Sequence, residues 1–60
     1  MTWHVLVVTS FWQCDVWIDG VTNTILDTGD TLKRFRRAPY MRLLRWVKGL
    51  RTFQRIEIIS

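Results

Sequence analysis

Asp27, Thr28 and Gly29 put a carboxylate, a hydroxyl and a residue without a side chain in direct succession after the apolar pair Ile25-Leu26. A carboxylate held in such a turn is a candidate general acid or base, but carboxyl-pair chemistry needs two such groups sharing one proton. The chain holds Asp-Thr-Gly once. Cys14 is the only thiol and His4 the only imidazole, the two groups from which an activated nucleophile would be built. A third set is basic: Lys33, Arg34, Arg36, Arg37, Arg42, Arg45 and Lys48 fall between residues 31 and 50 with no acidic residue among them. Guanidinium suits bidentate contact to phosphate oxygens, so this run is the strongest candidate for function.

The stretch "VWIDGVTNTILDTGD", Val16 to Asp30, resembles the opening of a retropepsin-type aspartic protease, where a strand, a Gly-containing turn and another strand lead into Leu-Leu-Asp-Thr-Gly-Ala. The resemblance implies Asp27 as the catalytic carboxylate, with Thr28 and Gly29 shaping its turn, and a homodimer to supply the second aspartate. Residues 31–60 carry neither a flap hairpin nor the family's later hydrophobic-hydrophobic-Gly segment, and Asp30 stands where the family has Ala. The expectation is therefore a strand-to-helix turn, with Asp27 or Asp30 accepting from free helix amides and Gly29 supplying a permissive φ. No catalytic residue, metal site or cofactor is assigned, and the protein is expected not to be an enzyme.

Three apolar runs rich in β-branched and aromatic residues, Trp3–Val8, Phe11–Ile18 and Val21–Leu26, are separated by Thr9-Ser10 and Asp19-Gly20. Asp-Gly between such runs is a type I′ hairpin signal. Two-residue loops at both places set Val7 opposite Trp12, Val5 opposite Cys14, His4 opposite Asp15 and Ile18 opposite Val21. That register gathers Trp3, Val5, Val7, Trp12, Cys14, Val16, Ile18, Val21 and Ile25 on one face. Cys14 and His4 then lie on opposite faces, which argues against a Cys-His dyad. Leu6, Val8, Phe11 and Trp17 fall on the second face, where an exposed apolar patch would mark a protein interface.

From Tyr40 to Leu50, the residues Trp46, Leu50, Leu43, Val47, Tyr40 and Leu44 fall within an arc of roughly 160° at helical spacing, with Arg42, Arg45 and Lys48 opposite. Pro39 suits the first turn, and "DTLKRFRRA" before it reads as a short helix capped by Asp30. "RTFQRIEIIS" alternates as a strand. The predicted fold is α+β, a small three-stranded antiparallel meander followed by a Pro-interrupted amphipathic helix and a C-terminal strand (β-β-β-α-β), with residues 1–60 as a single small domain. That element order is similar to the sheet-based DNA-binding domains of phage integrases and AP2-type factors, but the sheet here carries four aspartates.

At 60 residues, burial worth on the order of 90 kcal/mol meets about 90 kcal/mol of ordering entropy. Such a marginal balance favours a partner, either a second copy or something larger. One cysteine excludes a disulfide framework. The apolar start lacks a basic n-region and meets Asp15 after 14 uncharged residues, so neither a signal peptide nor integral membrane insertion is expected, and the expected compartment is the cytoplasm, the host's if the protein is viral.

Charge divides the chain sharply. Residues 1–30 hold four Asp and no Lys or Arg, a balance of −4; residues 31–60 hold nine Lys and Arg against Glu57 alone, a balance of +8. Such asymmetry points to a polyanion. The expected function is that of a small basic binding protein contacting nucleic-acid phosphates through Lys33, Arg34, Arg36, Arg37, Arg42, Arg45 and Lys48. The alternative is a small protein-binding modulator or inhibitor, of the phage accessory type, docking on an acidic or apolar protein surface through those cations or the Leu6/Val8/Phe11/Trp17 patch.

Overall fold

A computed structural model describes all 60 residues. Strands β1 (Thr2–Thr9), β2 (Gln13–Asp19) and β3 (Ile25–Thr28) lead into a 3₁₀ segment, Asp30–Phe35; helix α1 (Tyr40–Lys48) and strand β4 (Phe53–Ile58) follow. The fold is α+β: a four-stranded antiparallel sheet in the order β3-β2-β1-β4, with one α-helix on one face. The chain therefore crosses the sheet between β3 and β4 and carries its basic residues over that face.

Alternation builds the core. Val5, Val7, Cys14, Val16, Ile18 and Ile25 turn to one face, where Leu32 and Phe35 of the 3₁₀ segment and Leu43 and Val47 of α1 meet them in one buried cluster. Leu43 and Val47 stand one helical turn apart and are fully buried. Trp12, Tyr40, Leu50, Phe53 and Ile56 pack around the rim. The expected inward face is thus present for six residues, but Val21 is 82% exposed, and Trp3 and Trp46 keep 42% and 38% of their surface in solvent.

The first hairpin differs from expectation by one turn position. Val7 faces Cys14, Val5 faces Val16 and His4 faces Trp17, a slip of two residues that leaves every side chain on its expected face. Thr9 sets the slip. Its hydroxyl accepts from the amides of Phe11 and Trp12 at 3.3 and 3.1 Å and donates to the Trp12 carbonyl at 3.0 Å, so Thr9 begins the turn and Ser10-Phe11 occupy it.

Asp19-Gly20 does not form a type I′ turn. The Asp19 carboxylate accepts from Val21 and Thr22 amides at 2.8 and 3.2 Å, and its carbonyl accepts from Asn23 at 2.8 Å. The one left-handed residue in this loop is Asn23, at φ 60°, rather than Gly20. Ile18 pairs with Ile25 instead of Val21, and Val21 is carried out to the loop tip.

The stretch from Asp30 to Pro39 is two separate pieces, broken before the proline. The 3₁₀ segment kinks at Leu32 and ends at Phe35, Arg36 is already extended (φ −57°, ψ 134°), and Arg37 adopts φ 69°. Arg37 and Ala38 then run beside β3: Arg37 donates to the Ile25 carbonyl at 2.8 Å and Ile25 donates to that of Ala38 at 2.9 Å. These backbone bonds, with the Thr24–Pro39 bridge, cover the start of that sheet edge and explain the break. Helix α1 begins directly after Pro39, which stands before it as an extended N-cap (φ −62°, ψ 139°) instead of in its first turn.

Candidate functional site

The Asp-Thr-Gly turn is built for chain reversal. Asp27 accepts from the next amide, that of Thr28, at 2.9 Å and lies 3.4 Å from Arg36 Nε. The Thr28 hydroxyl donates to the Gly29 carbonyl at 2.8 Å. Neither Asp27 nor Asp30 caps the following segment by a side-chain hydrogen bond; its leading residue is Gly29 at φ −67°, ψ 171°. Gly29 is thus needed for space, because a Cβ there would sit 2.9 Å from Cys14 Sγ. Cys14 itself is buried, its thiol donating weakly to the Asp15 carbonyl at 3.6 Å.

His4 lies on the opposite side of the sheet from Cys14. Its ring stacks on Trp17 with centroids 4.7 Å apart and planes 13° from parallel, and Nε2 bonds Asp15 Oδ1 at 2.7 Å. Stacking and hydrogen bonding together occupy the ring. Of the apolar residues expected on this face, Leu6 and Trp17 are half-buried, and Val8 is only 6% exposed, between its cross-strand neighbours Gln13 and Arg55. Phe11 alone stands out, 82% exposed at the hairpin tip, so Leu6, Val8, Phe11 and Trp17 form no continuous exposed patch.

The basic residues are organised differently. Lys33, Arg34, Arg36 and Arg37 follow one another on the 3₁₀ segment and the turn after it, and all are exposed. On α1, Arg42, Arg45 and Lys48 recur every third residue, which puts them on adjacent turns of the outward side, opposite Leu43 and Val47. The two sets meet at Trp46. Its ring lies 5.5 Å from that of Phe35, and the Arg34 guanidinium sits over both rings, 4.4 Å from the Trp46 centroid and 4.9 Å from that of Phe35. Partial exposure of Trp46, unexpected for a core tryptophan, is what lets it bind Arg34.

Few of these cations have an anion to balance them. Arg36 reaches Asp27, and Arg55, on β4, reaches Glu57 at 3.5 Å. Those are the only carboxylate pairs of the nine Lys and Arg, so seven remain without one: Lys33, Arg34, Arg37, Arg42, Arg45, Lys48 and Arg51. Asp15 and Glu57 pair with Leu6 and sit on the far side of the sheet, away from the helix. The sheet thus separates a basic helical layer from a face of mixed charge.

A groove of about 590 Å³ opens at the other end of the core, between α1 and the β1–β4 edge. Trp3, Tyr40, Leu44, Ile56 and Ile58 give it apolar walls, and Lys48 and Asn23 stand at its rim. Burial there raises the Tyr40 phenol above its usual value. No helix of the chain is long and apolar enough to cross a membrane. No protein-family model, curated protein or solved structure matches this chain.

Proposed function

We propose that this protein is a non-enzymatic nucleic-acid-binding protein that grips the phosphate backbone with its helical layer. Lys33, Arg34, Arg37, Arg42, Arg45 and Lys48 are the contact residues, with Arg36 joining when it releases Asp27. The supporting observation is that these six cations share one layer and none has a carboxylate within ion-pair reach. Like charges on adjacent helical turns cost a few tenths of a kcal/mol per pair, a cost that bound phosphates offset. Arg34, laid over Trp46, is held in place before any ligand arrives, so less side-chain entropy is lost on binding.

Contacts of this kind position a protein on the backbone and read little sequence. The reading implies a compartment where nucleic acid is accessible, namely the cytoplasm. Its test is the binding of the full chain to a random-sequence DNA duplex and to an RNA of equal length as salt is raised. Six contacts on duplex DNA correspond to a loss of roughly a thousandfold in affinity between about 50 and about 200 mM salt. No binding at low salt to either nucleic acid, or binding indifferent to salt, overturns the proposal. Stoichiometric capture of one acidic protein after nuclease treatment would instead favour a modulator that uses the same cations.

A further inference from the structure

Strand β4 is the open edge of the sheet. At the other edge, Arg37–Tyr40 hydrogen-bond along the start of β3, whereas no strand lies beyond β4. The Ile59 amide donates to the His4 carbonyl at 2.8 Å, and backbone groups alternate in direction along a strand. The amides and carbonyls of Ile56 and Ile58 therefore point away from β1. Such a row pairs with another strand unless charge or shape prevents it.

Charge here selects a partner. Arg55 and Glu57 flank Ile56 and pair with Val8 and Leu6, so both lie on the side opposite the core. When a second β4 runs antiparallel to the first about a two-fold axis at Ile56, Arg55 comes opposite Glu57 of the second copy and Glu57 opposite its Arg55. The outward backbone groups of the two Ile56 residues then meet each other. Moving the axis to Arg55 or to Glu57 sets like charges directly opposite, which is destabilising. Moving it to Ile58 sets Glu57 against Ile59, so Glu57 keeps only its own chain's Arg55 and gains no charge partner on the second copy.

The apolar side of the same edge fits this arrangement. Ile56 and Ile58 form one wall of the groove, and Ile58 and Trp3 are 70% and 42% exposed. A two-fold axis perpendicular to the sheet keeps both α1 helices on one side and brings the two grooves edge to edge. We infer that β4 is a self-recognition edge: two copies of this chain pair β4 to β4 about Ile56 and join two four-stranded sheets into one. The inference stands apart from the phosphate reading, since neither Arg55 nor Glu57 belongs to the basic layer.

Sedimentation of the nuclease-treated full chain tests it, over about a hundredfold range of concentration at low salt. The wild-type chain should pass from monomer to dimer. Arg55→Glu and Glu57→Arg should each weaken association roughly tenfold or more, because each sets like charges opposite at two places. An equimolar mixture of the two variants should recover wild-type association as a heterodimer, each chain carrying the charges that the other lacks. The double variant R55E/E57R should self-associate as wild type does, which keeps the test decisive if a single variant folds poorly. A wild-type chain that stays monomeric, a folded single variant that associates as well as wild type, or a double variant that does not recover association overturns the inference.

Discussion

The guanidinium of Arg34 lies 4.4 Å from the ring centre of Trp46, across the gap between the 3₁₀ segment and α1. This contact joins the two basic elements into one surface. A cation over an indole contributes about 0.5–1 kcal/mol where water still reaches it. Arg34→Ala should therefore lower the unfolding free energy by about that amount in urea titrations. A double-mutant cycle with Trp46→Leu, which removes the ring face, should return a coupling of the same sign; additive effects would mean that the contact contributes nothing.

Gly29 and Cys14 make a second, purely steric prediction. At φ −67° an alanine is comfortable at position 29, so only the 2.9 Å approach of its Cβ to Cys14 Sγ opposes it. Gly29→Ala should cost about 1–3 kcal/mol, and much less in a Cys14→Ala background. An equal cost in both backgrounds would contradict the crowding account.

Thr9 begins the first turn with a hydroxyl that serves three backbone groups of Phe11 and Trp12. Thr9→Val keeps the shape, loses those bonds, and should destabilise by about 1–2 kcal/mol. Thermal unfolding of the variant checks this, and a melting temperature equal to wild type would remove Thr9 as the cause of the register.

Asp19 gives the pH prediction. Hydrogen bonds from the Val21 and Thr22 amides hold its carboxyl below the usual 3.8. A folded value depressed below the unfolded one contributes stability that is present above 3.8 and lost as pH falls through the folded value. The Val21 and Thr22 amide resonances should titrate with a midpoint below 3.8, and a midpoint at or above it would contradict the structure.

Much of the sheet was legible because its alternation is strong: Val5, Val7, Cys14, Val16, Ile18 and Ile25 face inward as their period-two spacing requires. Register and turns were not, because Thr9 and Asp19 bind backbone amides through their own side chains, a competition that apolar pattern does not reveal. Gly29 was read as a φ requirement when the neighbouring thiol is the reason. The cations of the basic layer could be listed from the charge run alone. Their assembly into one surface could not, since it depends on Arg37 turning left-handed to pair with Ile25 and on Trp46 remaining part-exposed to receive Arg34. The covering of Val8, which interrupts the expected apolar patch, likewise depends on cross-strand neighbours far away in sequence.

The salt dependence of duplex DNA binding, compared between wild type and the triple variant Arg42→Ala, Arg45→Ala, Lys48→Ala, tests the central claim most directly. Each phosphate contact contributes about −0.9 to the slope of log affinity against log salt, so the slope should change from about −5 to about −3. An unaltered slope in the triple variant, with its circular dichroism intact, would contradict phosphate binding by the helical layer.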